Sequence, residues 1–60
     1  MTNSSLRTYI QQQDQLGMWH TVFVCFSSDI SQHFLITTRM FPGRRVRAID
    51  NDGRLLDATT

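Results

Sequence analysis

Arg44, Arg45 and Arg47 are the residues of this 60-residue chain whose type and spacing bear most directly on chemistry. All six basic residues are arginine and all five acidic residues are aspartate. A guanidinium makes fixed, forked contacts with carboxylates, phosphates and aromatic faces, where a lysine contributes a mobile, hydrated charge. In an extended segment Arg45 and Arg47 project from one face and Arg44 from the other, so the first two form a clamp for a phosphate or for a partner's carboxylates. The competing reading is a solvated strand face balanced across a hairpin by Asp50, Asp52 and Asp57, which would also repel a polyanion. Trp19 and Phe23 are the second candidate surface, as interface anchors or as ordinary core. With Arg45 and Arg47 on a neighbouring strand, the same rings would suit an aromatic platform for single-stranded nucleic acid.

Other chemistries find no residues to carry them. His20, Cys25 and His33 are the soft metal ligands, at spacings that match no structural zinc pattern, and strand alternation puts His20 and Cys25 on opposite faces. The same alternation separates them as a nucleophile and base pair. The chain has no glutamate, and its aspartates sit beside turns and helix ends, where they have structural roles. There is no Gly-rich phosphate loop and no ribonucleoprotein signature. These features predict a protein without catalysis, metal or cofactor.

The elements that would position the arginines read as follows. Residues 5–16 predict a short amphipathic helix capped by Ser4 or Ser5, with Leu6, Tyr9, Ile10, Gln13 and Leu16 at helical spacing and Gly17 as its stop. Residues 18–26 predict a strand, rich in β-branched and aromatic side chains. Trp19, Thr21, Phe23 and Cys25 would lie on one face, and His20, Val22, Val24 and Phe26 on the other. With both faces apolar it reads as a central strand covered on both sides.

Residues 29–41 favour a second helix. Ser28 or Asp29 would cap it, Gln32 would complete a capping box, and Ile30, Phe34, Thr37 or Thr38 and Phe41 would share a face. Alternation of Phe34, Ile36, Thr38 and Met40 gives the strand alternative, with residues 27–30 as a hairpin turn. Pro42 and Gly43 break the chain under either reading. Residues 44–50 predict a strand with Val46 and Ala48 opposite Arg45, Arg47 and Ile49. Asn51, Asp52 and Gly53 are hairpin-turn chemistry, residues 54–57 form the return strand, and residues 58–60 are expected to fray.

The expected fold class is therefore a single α+β domain over residues 1–60, a small antiparallel sheet with one or two short helices in the order α-β-α-β-β. The alternative is one helix followed by a four-stranded meander. A domain this small buries only roughly 60 % of the surface of its unfolded chain, and a single cysteine excludes an internal disulfide. Self-association as a homodimer is the expected remedy. The longest apolar run is too short for a bilayer, no signal-peptide core is present, and one unpaired thiol suits a reducing cytoplasm. A net charge of +1 does not by itself argue for nucleic acid.

With its polar start, the compact strand over residues 19–26 and the Pro42-Gly43 turn before a basic strand, the chain resembles small accessory proteins of bacteriophages and mobile elements. The resemblance implies a non-enzymatic protein that binds a host or phage factor in the host cytoplasm, and it transfers no functional residue. The expected function is an interaction or regulatory module in which Arg44, Arg45 and Arg47 contact a protein with an acidic surface and Trp19 or Phe23 buries a second surface. The alternative places the same arginines on the phosphates of a nucleic acid.

Overall fold

In the computed structural model, which describes residues 7–59, strands β1 (Arg7–Gln13) and β2 (Trp19–Phe26) lead through a 3-10 turn (Ser27–Asp29) into helix α1 (Ile30–Met40), followed by β3 (Val46–Asp50) and β4 (Leu55–Ala58). The four strands form one antiparallel sheet in the order β2-β1-β3-β4. This corrects both expected orders of elements. The helix lies between two hairpins, and the segment read as an N-terminal helix is a central strand. Ser4, Ser5 and Leu6, invoked for that helix, lie outside the described residues.

The reason β1 is extended can be read in its burial. Thr8 and Ile10 are buried while Arg7 is exposed, which is the period of a strand. Thr8, Tyr9 and Ile10 favour a pleated backbone. Ile10, Cys25, Val46 and Ala48 form the buried core, and Phe23, Ile30 and Phe34 pack against it. The helix thus covers one face of the sheet through Ile30, Phe34 and the buried Thr37, whose hydroxyl donates to the His33 carbonyl at 2.8 Å. The helical reading of residues 29–41 holds, with Asp29 at the N-cap, but the Asp29 side chain makes no capping hydrogen bond.

Both hairpins turn on the same device. Asp14 Oδ1 accepts from the backbone N–H groups of Leu16 (2.8 Å) and Met18 (2.9 Å). Asp50 Oδ1 accepts from those of Asp52 and Arg54, both at 2.9 Å. Three residues after each aspartate stands a glycine of positive φ, Gly17 at 88° and Gly53 at 81°, whose N–H donates to the aspartate carbonyl at 3.1 and 3.0 Å. Each is a three-residue turn in which glycine supplies the left-handed conformation. The two hairpins then pair through their first strands, with Gln12 opposite Val46 and Ile10 opposite Ala48. Gln11 and Arg47, which face each other at the centre, hold equivalent places before the two turns.

Two further corrections concern the chain ends and β2. The strand β2 is an edge strand, not a central one. Thr59, expected to fray, is held to β3: its N–H donates to the Val46 carbonyl at 2.9 Å and its Oγ1 accepts from the Val46 N–H at 3.0 Å. Thr60 lies outside the described residues.

Candidate binding surface on the open sheet face

The face of the sheet opposite α1 carries the side chains that alternate with the core. Strand register arranges them in rows. Phe26 lies beside Arg7; Val24, Tyr9, Ile49 and Leu55 cross all four strands; Thr21, Gln11, Arg47 and Ala58 form the next row. Trp19 stands beside Gln13, whose N–H donates to the Arg45 carbonyl at 2.9 Å and extends that row onto Arg45. The face therefore runs from Arg7 and Phe26 at one end, through an apolar row at Val24 and Leu55, to a cationic, amide-rich end near Trp19 and Arg45.

At the cationic end the side chains are tied together. The Arg47 guanidinium carbon lies 4.1 Å from the centroid of the Trp19 ring. Arg47 Nε donates to Gln11 Oε1 at 2.8 Å, and Gln11 Nε2 donates to Thr21 Oγ1 at 3.0 Å. The ring contact and the Nε bond restrain the guanidinium, while its terminal N–H groups make no hydrogen bond among the described residues. A pre-oriented guanidinium loses less freedom on meeting a carboxylate or phosphate than a mobile one.

Of the residues singled out by sequence, the structure brings Arg45, Arg47 and Trp19 onto one face. Phe23 is not with them. The register of β1 against β2 shifts between Ile10 and Gln11, so that Ile10 faces Phe23 but Gln11 faces Thr21. Val22 is the extra residue of a β-bulge, and beyond it the alternation changes sides. Trp19 and Thr21 consequently share the open face with Val24 and Phe26, while Phe23 and Cys25 fall on the helix face with His20, which corrects the expectation that alternation puts His20 and Cys25 on opposite faces. Phe23 instead meets His33 edge-on, with ring centroids 4.9 Å apart. Arg44 stands apart as well, lining a shallow depression of about 340 Å³ with Asp14, Gln15 and Leu16. Sequence reasoning missed Arg7, Tyr9 and Gln11 as members of the open face, because β1 also satisfies helical spacing, and it separated Phe26 from Trp19 because the bulge at Val22 reverses the alternation of β2.

No aspartate forms an ion pair with an arginine of this face among the described residues. Asp14 and Asp50 are engaged by their turns, Asp29 starts α1, and Asp57 stands opposite Ala48, in register with the core face. Among the described residues the ion-pair geometry present is His20 Nε2 to Asp14 Oδ2 at 2.6 Å, and no arginine contacts a carboxylate. The hydrogen bond from His20, followed by that from the Met18 N–H, holds the Asp14 carboxyl below its usual range. Burial, with the charge of Asp29 second, pushes the Cys25 thiol up.

No group of three or more His, Cys, Asp or Glu side chains converges among the described residues, and no helix there is long and apolar enough to cross a membrane. Compared with protein-family models, curated proteins and solved structures, the chain finds no match.

Proposed function

We propose that this chain is a non-enzymatic interaction module that receives an acidic segment of another protein on the open face of its sheet. One observation carries the reading. Arg7, Arg45 and Arg47 share that face by register, whereas the strand aspartates Asp50 and Asp57 fall on the helix face. Local charge is then far more positive than the net charge of +1, and local fields govern encounter with a charged partner. Trp19 beside Arg47 supplies the ring and guanidinium pair that dominates many binding hot spots. The resemblance to phage and mobile-element accessory proteins favours a regulatory role toward a host or phage factor.

A second reading is favoured by the rings themselves. Tyr9, Trp19 and Phe26 lie on the same face as the arginines, the combination on which bases of single-stranded nucleic acid stack.

Trp19 is the single tryptophan and reports directly on its surroundings. Titration with an acidic peptide and with a single-stranded oligonucleotide at low salt is expected to change its emission, and Arg45→Ala with Arg47→Ala is expected to abolish the peptide response. Preferential oligonucleotide binding that falls steeply with salt assigns the face to phosphates. An emission unchanged by either ligand overturns both readings.

A further inference from the structure

We infer that the outer edge of β2 is a self-association surface, on which a second copy of this chain pairs antiparallel to extend the sheet to eight strands. This goes beyond the anionic ligand proposed for the open face and does not depend on it.

The two edges of the sheet are built differently. At one edge, β4 has four residues, carries Asp57 and is interrupted by a bulge at Leu56. Short length, charge and bulges are the means by which sheets discourage edge pairing. At the other edge β2 runs for eight residues, WHTVFVCF, without a proline or a formally charged residue. Its bulge lies at Val22 and leaves residues 23–26 regular. No described residue pairs with its outer side.

Apolar side chains border this edge above and below. On the open face Val24 and Phe26 are each 55 % exposed. On the helix face, the contact of Phe23 with His33 turns toward β2 the flank of α1 that bears His33, Ile36 and Met40, one above another on the helix surface. Ile36 and Met40 are 38 % and 53 % exposed. A stable interface removes ~800 Å² per partner, roughly a fifth of the 4316 Å² exposed by the single chain. Val24, Phe26, Ile36 and Met40 are the exposed apolar side chains at this edge that contribute to that area.

The occupant that fits is a second copy. A two-fold axis perpendicular to the sheet brings β2 against itself antiparallel and keeps helix face with helix face. No formally charged residue on β2 meets its own image, because the arginines of the open face stand on β1 and beside or within β3. The two α1 helices then lie three strand spacings apart, ~14 Å, a gap bordered by Ile36 and Met40 of both copies. Side-chain facing also restricts the register, since a slip of one residue would put open-face side chains against core-face ones. The axis passes through Val24 or through Cys25, which pairs Val24 with its own image or with Phe26 of the other copy.

The test is sedimentation across concentration, with backbone hydrogen exchange on the same samples. The native chain is expected to reach twice the monomer mass, and Val24→Lys to remain monomeric with an unchanged far-ultraviolet spectrum. Leu55→Lys, an equally exposed change on the opposite edge, is expected to dimerise as the native chain does. In the native chain, amides of residues 22–26 should exchange more slowly as concentration rises while those of β4 do not; this arm decides the matter if Val24→Lys fails to fold. A native chain that stays monomeric at millimolar concentration, a folded Val24→Lys dimer, a monomeric Leu55→Lys, or concentration-independent exchange in β2 each overturns the inference. Protection of β2 in a monomer only on adding a foreign extended peptide would overturn it too, by giving the edge to another protein.

Discussion

The guanidinium of Arg47 lies over the ring of Trp19 at 4.1 Å, joining β3 to β2 across the intervening β1. The contact is not sequential and spans the cationic end of the open face. Such pairs contribute about 0.5–1 kcal/mol at exposed sites. A double-mutant cycle of Arg47→Ala and Trp19→Leu, followed by urea denaturation, is expected to return a coupling energy in that range. Arg47→Lys should lose part of it, since an ammonium retains the charge but not the planar stack. A coupling near zero would show that the stack adds nothing to stability.

Gln12 stands on the core face between His20 and Val46, and its Oε1 is buried without a hydrogen-bond partner among the described residues. A buried, unpaired polar atom costs about 1–3 kcal/mol. Gln12→Met, of similar volume, is therefore expected to raise the unfolding free energy by ~1 kcal/mol or more, measured as a higher urea midpoint at unchanged slope. An unchanged or lower midpoint would indicate that this oxygen carries no penalty.

Acid stability should depend on Asp14. Its carboxyl titrates below the ordinary 3.8 in the folded chain, first because of His20 and then the Met18 N–H, whereas the unfolded chain titrates at the ordinary value. The stabilisation is thus fully present above 3.8 and is lost as pH falls toward the lower, folded value. Asp14→Asn is expected to flatten the fall of the urea midpoint between pH 4 and about pH 2, close to the acid end of carboxylate titration.

Alkaline stability should depend on Cys25. Its thiol is raised above 9.0 by burial and by Asp29, so the unfolded chain releases this proton first. Stability is expected to decline as pH rises past 9.0 and to level off once the folded thiol ionises as well. Cys25→Ala should cost about 1 kcal/mol at neutral pH and remove that alkaline slope, both measurable by denaturation at pH 7 and pH 10. Iodoacetamide should label the native thiol slowly at neutral pH.

The two turn glycines are expected to respond alike. Gly17→Ala and Gly53→Ala place a Cβ in the left-handed region, at roughly 1–2 kcal/mol each, although among the described residues no atom beyond the chain neighbours comes closer than 3.8 Å to the added carbon. Asn at either place should recover part of the loss, because it tolerates this conformation better. Thermal melts of the four variants measure the comparison.

How far the sequence revealed the fold is clearest at those two turns. Asp50 to Gly53 was legible as a hairpin because Asn51 and Asp52 add turn chemistry and Val46 and Ala48 alternate cleanly. The same aspartate and glycine at 14 and 17 read as a helix end, because Tyr9, Ile10 and Gln13 also satisfy helical spacing. The buried residue that should have signalled a strand is the polar Thr8, which hides the alternation. Helix α1 was legible from Ile30, Phe34 and Thr37 despite the β-branched run at its end.

The candidate site was legible in part for a related reason. Arg45, Arg47 and Ile49 fall on one face as simple alternation requires. Trp19 reaches that face and Phe23 does not, since alternation counted across Val22 fails at the bulge. Nothing in residue type announces that bulge. The apolar character of both sides of β2, read as burial from above and below, reflects one side against the helix and one side uncovered.

The position of β1 between β2 and β3 sets a timetable for the newborn polypeptide. Tyr9 finds Val24 after fifteen further residues but must wait for Ile49, forty residues on, to gain its second neighbour. At the usual 5–20 residues per second, the stretch from Val24 to Ile49 takes roughly 1–5 s to translate. Throughout it, the strand destined for the middle of the sheet has one flank bare, leaving the emerging hairpin most vulnerable to capture by chaperones or by stray extended segments before its last third has been made.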